Sequence, residues 1–262
     1  MQERHTSRKA YFDEQVYTTE KYVIPFIAAV SPITKDTRVL EIGCGEGGNL
    51  VPFMDLGCEV TGIDMAANKI ENAHIFLENH PQYHRLQLIT DDIYNQNPED
   101  KTYDIIFMRD VLEHIHDQQK FMHFVKGFLK DEGCLFLGFP PWQSPFGGHQ
   151  QMCLNKYLSI TPYYHLLPSG LYKMLLRWGG ESEAKIVGLM EVRETGITIE
   201  RFKRIFRKAG FIIEKQQLYF INPNYEIKFK LKPRLQSTII TSIPWVRNFF
   251  ITTCYYLLKA KK

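Results

Sequence analysis

The stretch TRVLEIGCGEGGNL, residues 37–50, places four glycines within six residues directly after a short apolar run. A glycine-rich turn between a strand and a helix lets the backbone approach a ligand closely and presents free helix amides to it. Gly43, Gly45 and Gly48 fit the dinucleotide pattern GxGxxG, whereas Gly43, Gly45 and Gly47 fit GxGxG preceded by the acidic Glu41. No Lys-Ser or Lys-Thr pair follows the glycines, which excludes a P-loop. The turn alone leaves the ligand open.

Further β-rich runs surround this turn. RVLEI is followed by CEVTGID, LQLIT, YDIIFM and CLFLGF, with segments of helical length between them. Strands that alternate with helices predict a parallel sheet, because each right-handed crossover needs about a dozen residues or more. The sequence therefore predicts an α/β fold.

Two carboxylates at predicted strand ends narrow the choice of ligand. Asp64 ends the second strand nineteen residues after Gly45, where it could accept both ribose hydroxyls of an adenosine. Both interpretations of the turn predict that residue. Asp92 ends the third strand beside the same crevice and could accept from an adenine amino group. A dinucleotide enzyme has less need of this second carboxylate.

With EIGCGEGG, GID, TDDIY and FMRDVLEHI in this order, the chain resembles class I S-adenosylmethionine-dependent methyltransferases of the small-molecule type. The resemblance covers roughly residues 36–140 and 198–221. It implies a Rossmann-like, seven-stranded, mostly parallel sheet with helices on both faces. It also implies an α-rich insertion between strand five and the last helix, and S-adenosyl-L-methionine as the cofactor.

The resemblance also implies roles for individual residues at the cofactor. Asp64 would hold the ribose, Asp92 would receive the adenine amino group, and the amide of Ile93 would face a ring nitrogen. The turn would line the methionine part, and the end of strand four would reach the amino acid moiety. The implied cofactor-binding set is Glu41, Gly43, Cys44, Gly45, Asp64, Met65, Asp92, Ile93, Met108 and Arg109.

Methyl transfer from a sulfonium mainly requires a nucleophile held in line with the methyl group, and a hydroxyl nucleophile must also lose a proton. Imidazole titrates near neutral pH, so His114, His116, His149 and His165 are candidate bases. His149 lies in the distinctive stretch SPFGGHQQ. We predict His149, His114 and Glu113 as the catalytic residues.

The segment RDVLEHIHD supports two interpretations. Asp110, Glu113 and His114 stand at i, i+3 and i+4, so they would share one face if the segment is helical. Some quinone-pathway and RNA-end O-methyltransferases carry an acidic-xx-Glu-His set at this place that can hold a divalent metal, although Asp110 departs from their usual Glu. Alternatively, Glu113 and His114 hydrogen-bond to the loop and frame the cofactor. We predict no metal.

Chain length and local changes in composition predict the organisation of the chain. At 262 residues the chain suits one core with an elaboration. The helical lead-in is expected to break at Pro25 and to stop at Ser31-Pro32. The predicted parts are a lead-in at 1–35, the cofactor-binding core at 36–140, an insertion over the site at 141–197, completion of the core at 198–224, and a basic apolar extension at 225–262.

Charge and cysteine content limit the partners. The formal net charge of +3 shows no global attraction to nucleic acid, and we predict none as a partner. Five cysteines without CxxC spacing indicate neither a disulfide framework nor a structural zinc site. The first residues lack the apolar stretch of a signal peptide, so a cytoplasmic location is expected.

The last predicted part, residues 225–262, is apolar and bracketed by Lys and Arg. Pro244 and Arg247 interrupt the apolar length that a bilayer-spanning helix needs. A helix from Pro244 onward could lie peripherally at the anionic inner membrane surface. It could instead dock on the insertion or on a dimer partner, and the oligomeric state is left open.

The predicted activity is S-adenosylmethionine-dependent O-methylation of a small molecule, a lipid-linked intermediate or a saccharide. Two alternatives belong to other classes. One is a nucleotide-dependent oxidoreductase, which Asp92 and the LEH segment disfavour. The other is a non-catalytic cofactor-binding module that regulates a partner.

Overall fold

A computed structural model describes residues 8–98 and 102–261. One eight-stranded sheet forms the centre, in the order β3-β2-β1-β4-β5-β8-β6-β7. Neighbours among β1 to β5 pair in parallel, and β8 pairs antiparallel with both β5 and β6. The strands are β1 (Arg38–Ile42), β2 (Glu59–Asp64), β3 (Leu86–Thr90), β4 (Tyr103–Arg109), β5 (Leu129–Phe139), β6 (Phe211–Ile221), β7 (Arg234–Leu235) and β8 (Thr253–Ala260).

This sheet confirms the predicted Rossmann-like α/β fold, with one strand more than the seven expected. The additional strand is β7, which spans two residues and pairs antiparallel with the outer edge of β6. The helices are α1 (Arg8–Thr18), α2 (Ile24–Ala28), α3 (Val51–Asp55), α4 (Ala67–Leu77), α5 (Gln118–Lys126), α6 (Lys156–Ile160), α7 (Ser169–Trp178), α8 (Glu183–Thr195), α9 (Ile199–Lys208), α10 (Tyr225–Phe229) and α11 (Thr238–Thr241).

Helices cover both faces of the sheet. Along β4, Ile105 and Phe107 pack into one hydrophobic cluster with α1 to α4, and Ile106 and Met108 pack into another with α5 and α9. Successive strand residues point to opposite faces, so a strand buried on both faces reads as an uninterrupted apolar run. This burial explains the apolar runs in the sequence.

The N-terminal helix passes through Pro25 instead of breaking there, which corrects the sequence-based expectation. Between α1 and α2 a π-helical turn, Thr19–Val23, contains a hydrogen bond from the Ile24 amide to the Thr19 carbonyl. Proline lacks an amide hydrogen, and the wider turn just before Pro25 lets the helix continue with that donor missing. The helix then ends at Ala28, close to the expected stop.

The insertion forms a small helical layer with a core of its own. Between β5 and α9 the chain builds α6, α7 and α8, which enclose a separate hydrophobic cluster. The buried members of this cluster are Cys153, Tyr164, Tyr172, Leu176, Ile186 and Leu189.

The C-terminal residues complete the sheet, contrary to the expected surface extension with a helix from Pro244. Instead of that helix, a short 3-10 turn, Val246–Phe250, leads into β8, which is inserted between β5 and β6. Residues from Thr253 to Leu258 are all buried. A strand buried on both faces lacks the alternation that separates it from a helix, and this explains the error. In the described ranges, no helix is long and apolar enough to cross a bilayer.

Candidate active site

The carboxyl ends of the parallel strands meet at one edge of the sheet, and the glycine turn lies there after β1. Gly43, Gly45 and Gly47 have φ angles of +74°, +55° and +81°, a region that suits glycine. Gly48 lacks a positive φ and instead packs on α1, since an added Cβ would lie 2.6 Å from the Phe12 carbonyl oxygen. Backbone geometry therefore selects the GxGxG register over GxGxxG.

Asp64, at the end of β2, is connected directly to this turn. Its Oδ2 accepts the Gly45 amide at 2.9 Å, and its Oδ1 accepts the Ala66 amide at 2.9 Å. The Lys69 ammonium lies 4.0 Å away. Beside it, the apolar side chain of Met65 is 72% exposed. Strand end and turn thus form one crevice, with a carboxylate and an uncovered thioether at its rim.

Asp92 and Ile93 occupy the turn after β3. Asp92 caps the 3-10 turn Ile93–Asn95, with the Tyr94 amide donating to its Oδ1 at 3.0 Å. The preceding Asp91 accepts from the side-chain amide of Asn95 at 2.7 Å and therefore stabilises the loop. Ile93 itself is buried against the core.

A buried polar network joins the turn to the N-terminal helix. Asn49 Nδ2 donates to Glu41 Oε1 at 2.6 Å, and the Thr19 hydroxyl donates to Asn49 Oδ1 at 2.8 Å. Arg109 Nη1, at the end of β4, donates to the same hydroxyl at 3.3 Å. Asn49 and Thr19 were not predicted as residues of the site. Asn49 could have been noticed as a polar residue between the glycine turn and the apolar run LVPFM, whereas Thr19 reaches the site only through the π-helical turn.

Two polar side-chain atoms of this network have no hydrogen-bond partner among the described residues. They are Glu41 Oε2 and Arg109 Nη2, and both residues are buried. Burial raises the pKa of Glu41 to about 8, and the Asp64 charge adds to this, while the Asn49 hydrogen bond and the Arg109 charge oppose it. Unpaired buried polar atoms are costly, which points to a ligand with complementary groups.

Besides Ile93, two further residues of the implied cofactor set direct their side chains into the protein. Met108 is part of the core on the α5 and α9 face, so only its backbone is placed to reach the crevice. Cys44 is buried in the turn, and burial raises the pKa of its thiol, which keeps it protonated. All five cysteines are free thiols and buried.

The three predicted catalytic residues come together. Glu113 and His114 lie in a 3-10 turn after β4, and His149 comes from the insertion. One ligand atom from each of the three lies within 4.8 Å of the others, and His149 Nε2 is 3.7 Å from Glu113 Oε1. The imidazole rings of His114 and His149 make an edge-on contact with centroids 5.0 Å apart.

Hydrogen bonds between residues distant in the sequence fix the position of this cluster. Gln118 Nε2 donates to the carbonyls of Leu112 and of Thr195, at 3.0 and 2.7 Å, and the Thr195 hydroxyl donates to the Glu113 carbonyl. Thr195 ends α8, so the insertion is attached directly to the turn that carries Glu113. His149 has a φ of +56°, an uncommon conformation that directs its ring toward this turn.

The cluster of Glu113, His114 and His149 differs from the possible metal-binding set of Asp110, Glu113 and His114 that the segment RDVLEHIHD suggested. Asp110 has a φ of +56° and is absent from the group of metal-ligating side chains found among the described residues. His149 takes the third place. One carboxylate and two imidazoles could hold a divalent cation, or they could act as a base and its orienting partners.

The two remaining candidate bases, His165 and His116, lie outside the cluster. His165 is fully buried, with Nδ1 2.9 Å from Gln150 Nε2 and Nε2 2.8 Å from the Trp142 carbonyl. Burial lowers the pKa of His165 to about 4, so it remains neutral and structural. His116 is exposed beyond the cluster. Desolvation lowers the pKa of His114, which favours its neutral form in the cleft.

Comparison with known proteins shows the family to which the chain belongs. Residues 12–216 match the methyltransferase domain family, and the chain belongs to that family. A ubiquinone biosynthesis O-methyltransferase of Glaesserella parasuis serovar 5 (strain SH0165) is 36% identical over 103 residues, which are 38% of this chain and 44% of the relative. The chain spans less than half the length of the first curated relatives it matches.

Solved structures show the same fold at low identity. A putative sarcosine dimethylglycine methyltransferase from Galdieria sulphuraria has a TM-score of 0.62 and 13% identity, covering 94% of this chain and 86% of its own. Haemonchus contortus phosphoethanolamine N-methyltransferase 2, in complex with phosphomonomethylethanolamine and S-adenosylhomocysteine, has a TM-score of 0.60 and 15% identity over 99% of this chain and 59% of its own. Together with the matched family, this fold confirms the predicted resemblance to class I S-adenosylmethionine-dependent methyltransferases.

Proposed function

We propose that this methyltransferase transfers the methyl group of S-adenosylmethionine to a hydroxyl oxygen of a small molecule, a lipid-linked intermediate or a saccharide. The observation that carries the proposal is the pairing of His149 with Glu113, which follows β4, the strand paired with β1. A hydroxyl must lose a proton as it attacks, so a histidine oriented by a buried carboxylate suits oxygen transfer. Similarity to ubiquinone biosynthesis O-methyltransferases supports the same choice.

The residues present fit the cofactor. Its adenosine ribose suits Asp64, and its adenine suits Asp92 and the uncovered side chain of Met65. Its amino acid moiety carries one positive and one negative charge, which match the unpaired atoms of Glu41 and Arg109. When bound, S-adenosylmethionine supplies an electrophilic methyl group on a sulfonium.

Glycine allows the required close approach. An added Cβ at Gly45 would meet only Lys69 Cδ, at 3.9 Å, so this glycine faces open space at the crevice. At Gly43 an added Cβ would lie 2.6 Å from Val111 Cγ2. Gly43 thus keeps β1 close to the chain after β4, and Gly45 leaves room for ligand beside Asp64.

We assign the acceptor proton to His149 Nδ1, because Nε2 is the ring nitrogen that faces Glu113 Oε1. Glu113 is buried, and its carboxylate lies where it stabilises the imidazolium that forms. His114 stacks edge-on against His149 and restricts its ring. The Thr195 hydrogen bond to the Glu113 backbone keeps the carboxylate in register with the insertion. Positioning by the insertion is therefore part of the proposed chemistry.

The same three side chains could bind a divalent cation, and we keep the proposal that no metal takes part. A metal-free reaction predicts that exhaustive treatment with a chelator leaves turnover unchanged. Loss of turnover that returns on adding one divalent metal would instead favour a metal centre at Glu113, His114 and His149.

The location is also proposed. The protein would work in the cytoplasm with a peripheral contact at the inner membrane surface and no nucleic acid partner. Exposed apolar and basic residues after β6 support the membrane contact.

Calorimetry tests the cofactor part of the proposal. Binding of S-adenosylmethionine and S-adenosylhomocysteine is compared between the intact protein, Asp64→Ala and Asp92→Ala. We expect micromolar-range binding, weakened in each variant by about 1 to 3 kcal/mol for a lost carboxylate contact. A folded protein that binds neither compound would contradict the proposal.

Release of S-adenosylhomocysteine tests the reaction. A panel of phenols, catechols, prenylated phenols and saccharides is offered as acceptors, with matched amines as the comparison. Turnover on a hydroxyl acceptor is expected, whereas turnover on amines alone would contradict oxygen transfer. Cofactor binding without turnover on any acceptor would favour the non-catalytic regulatory module.

A further inference from the structure

Residues 222–252, here called the edge segment, join β6 to β8. Because β8 runs antiparallel to both neighbours, β6 points in the same direction as β5. β6 therefore ends, and β8 begins, at the edge of the sheet where β1 and β4 end. The edge segment thus lies on the catalytic side of the sheet, the side that carries the glycine turn.

Polar contacts attach the edge segment to the insertion. Lys228 Nζ lies 2.9 Å from Gln151 Oε1, and Gln151 follows His149 by two residues. The Tyr163 hydroxyl donates to the Phe249 carbonyl at 2.9 Å. Both ends of the edge segment therefore touch the part of the chain that supplies the proposed base.

Glu200, at the start of α9, fixes the turn before β8. It accepts the Trp245 amide at 2.9 Å and the Asn248 side-chain amide at 2.7 Å, and it pairs with Arg247 at 2.8 Å. The polar groups of this turn are thereby directed inward. Trp245 itself has a φ of +66°, and its residue surface is 61% exposed. An aromatic side chain is thus held outward by a backbone conformation that is unfavourable for it.

The outer surface of the edge segment is unusually apolar. Single exposed apolar side chains are ordinary, but a concentration in one segment marks an interaction surface. Ile239, for example, is 73% exposed. The exposed apolar residues are Phe229, Leu231, Leu235, Ile239, Ile243, Trp245, Val246, Phe249 and Phe250.

The same segment is positively charged. Residues 227–262 contain no Asp or Glu. Lys230, Lys232 and Arg234 are exposed, and none of them has an ion-pair partner among the described residues. Arg234 also lines an open recess of about 250 Å³ with Phe220, Leu235, Gln236 and Ser237. Apolar side chains beside unpaired cations are the combination that binds an anionic lipid interface.

We propose that the edge segment docks the protein on an anionic phospholipid bilayer. Its apolar side chains enter the headgroup boundary, and Lys230, Lys232 and Arg234 contact lipid phosphates. A second copy of the chain fits this surface poorly, because a symmetric contact would place these cations against each other. The consequence for the acceptor rests on the proposed function: docking turns the catalytic edge toward the bilayer, which favours a lipid-linked acceptor over a free saccharide.

Vesicle sedimentation tests the docking without any methyl transfer. Vesicles of phosphatidylcholine alone, and of phosphatidylcholine mixed with phosphatidylglycerol, are used at low and high salt. The charge variant combines Lys230→Gln, Lys232→Gln and Arg234→Gln. The matched control combines Arg204→Gln, Arg207→Gln and Lys208→Gln, which removes the same charge from exposed positions on α9.

We expect the intact protein to pellet with the anionic vesicles and to be released by salt. The charge variant should partition about 10- to 100-fold more weakly, and the α9 control should bind as the intact protein does. Trp245→Ala should weaken binding to the anionic vesicles, and brominated lipid tails should quench the intact protein's tryptophan fluorescence more than that of Trp245→Phe.

Several outcomes would overturn the docking. These are no pelleting at low salt, equal loss in the charge variant and the α9 control, or a dimer in light scattering that Trp245→Ala abolishes. Tighter binding of a single-stranded RNA than of vesicles, lost in the charge variant, would also overturn it. Calorimetry with S-adenosylhomocysteine is run on every variant, so that a failed cofactor site is distinguished from a failed docking surface.

Discussion

The proposed cofactor side and the proposed acceptor side of this molecule are built in different ways. On the cofactor side, neighbouring parallel strands supply the groups, and Asp64 accepts the Gly45 amide directly across the β1 and β2 ends. On the acceptor side, His149 meets Glu113 only because the insertion packs back onto the core. The proposed cofactor site therefore depends on a short local pattern, whereas the proposed acceptor site depends on contacts between distant segments.

The largest expected effect is the loss of turnover on substituting His149, the proposed catalytic base, in comparison with the structural His165. His149→Asn keeps a residue type that tolerates the left-handed backbone conformation but removes the base. We expect kcat to fall about 100- to 10,000-fold, with little change in the free energy of unfolding. Turnover on an accepted hydroxyl compound and thermal unfolding are the measurements.

His165→Ala is the matched variant, because His165 belongs to the same insertion. Its ring makes hydrogen bonds through both nitrogens in a buried position. We expect the free energy of unfolding to fall by about 2 to 4 kcal/mol. If His149→Asn retained full turnover, the assignment of the base would be wrong.

The C-terminal residues divide into a buried strand and an exposed surface, and two aromatic residues test that division. Tyr256 in β8 is fully buried, so Tyr256→Ala should lower the free energy of unfolding by about 3 to 5 kcal/mol. Trp245→Ala should change it by no more than about 0.5 kcal/mol. Denaturant unfolding gives both values.

Tyr256→Phe serves as a further control. The Tyr256 hydroxyl is buried without a hydrogen-bond partner among the described residues. Removing it should leave the stability unchanged or slightly higher. A large loss in Tyr256→Phe would show that this hydroxyl makes an essential contact.

Sequence patterns predicted those elements of the fold that carry a recognisable local pattern of residues. The strands from β1 to β5 appear as short apolar runs, and the turn appears as clustered glycines, so the core and the crevice residues Asp64 and Asp92 could be placed. The cluster of Glu113, His114 and His149 was also named residue by residue. Its convergence depends on the Thr195 contact, which no local pattern indicates.

The elements that the sequence did not predict are those decided by tertiary context. β8 lacks alternation because both of its faces are buried, and it lies far along the chain from its neighbour β5. The π-helical turn before Pro25 directly follows α1, which packs over the glycine turn at Gly48. Because that turn brings Thr19 to Arg109, a site residue was missed together with the irregular backbone.

Substitution of two glycines in the same turn should have different effects, mainly on stability at Gly48 and mainly on cofactor affinity at Gly45. At Gly48→Ala, the new Cβ meets the Phe12 carbonyl, so α1 must shift at a cost of about 1 to 3 kcal/mol in unfolding free energy. At Gly45→Ala, only the backbone conformation is strained, by about 1 to 2 kcal/mol, but the methyl group enters the crevice. Calorimetry should show S-adenosylhomocysteine affinity reduced more by Gly45→Ala. The opposite order would place the ligand elsewhere.

The smallest expected effect is the pH dependence of cofactor affinity, which arises from the titration of Glu41. Because burial raises its pKa to about 8, the free protein holds Glu41 largely protonated at neutral pH. A cationic group of the cofactor favours the ionised carboxylate, so binding should release a proton. Affinity for S-adenosylmethionine should therefore rise between about pH 6 and 8, by up to about tenfold per pH unit.

Folding stability responds in the opposite direction. The folded protein holds this proton more tightly than the unfolded chain, whose carboxyl has the ordinary value of 4.5. The contribution of Glu41 to stability is therefore present below about pH 4.5 and is lost as the pH rises through about 8. Glu41→Gln keeps an oxygen that can accept from Asn49 but removes the titration, so its cofactor affinity should be low and independent of pH. An intact protein whose affinity is constant from about pH 6 to 9 would show that Glu41 does not face the cofactor's positive charge.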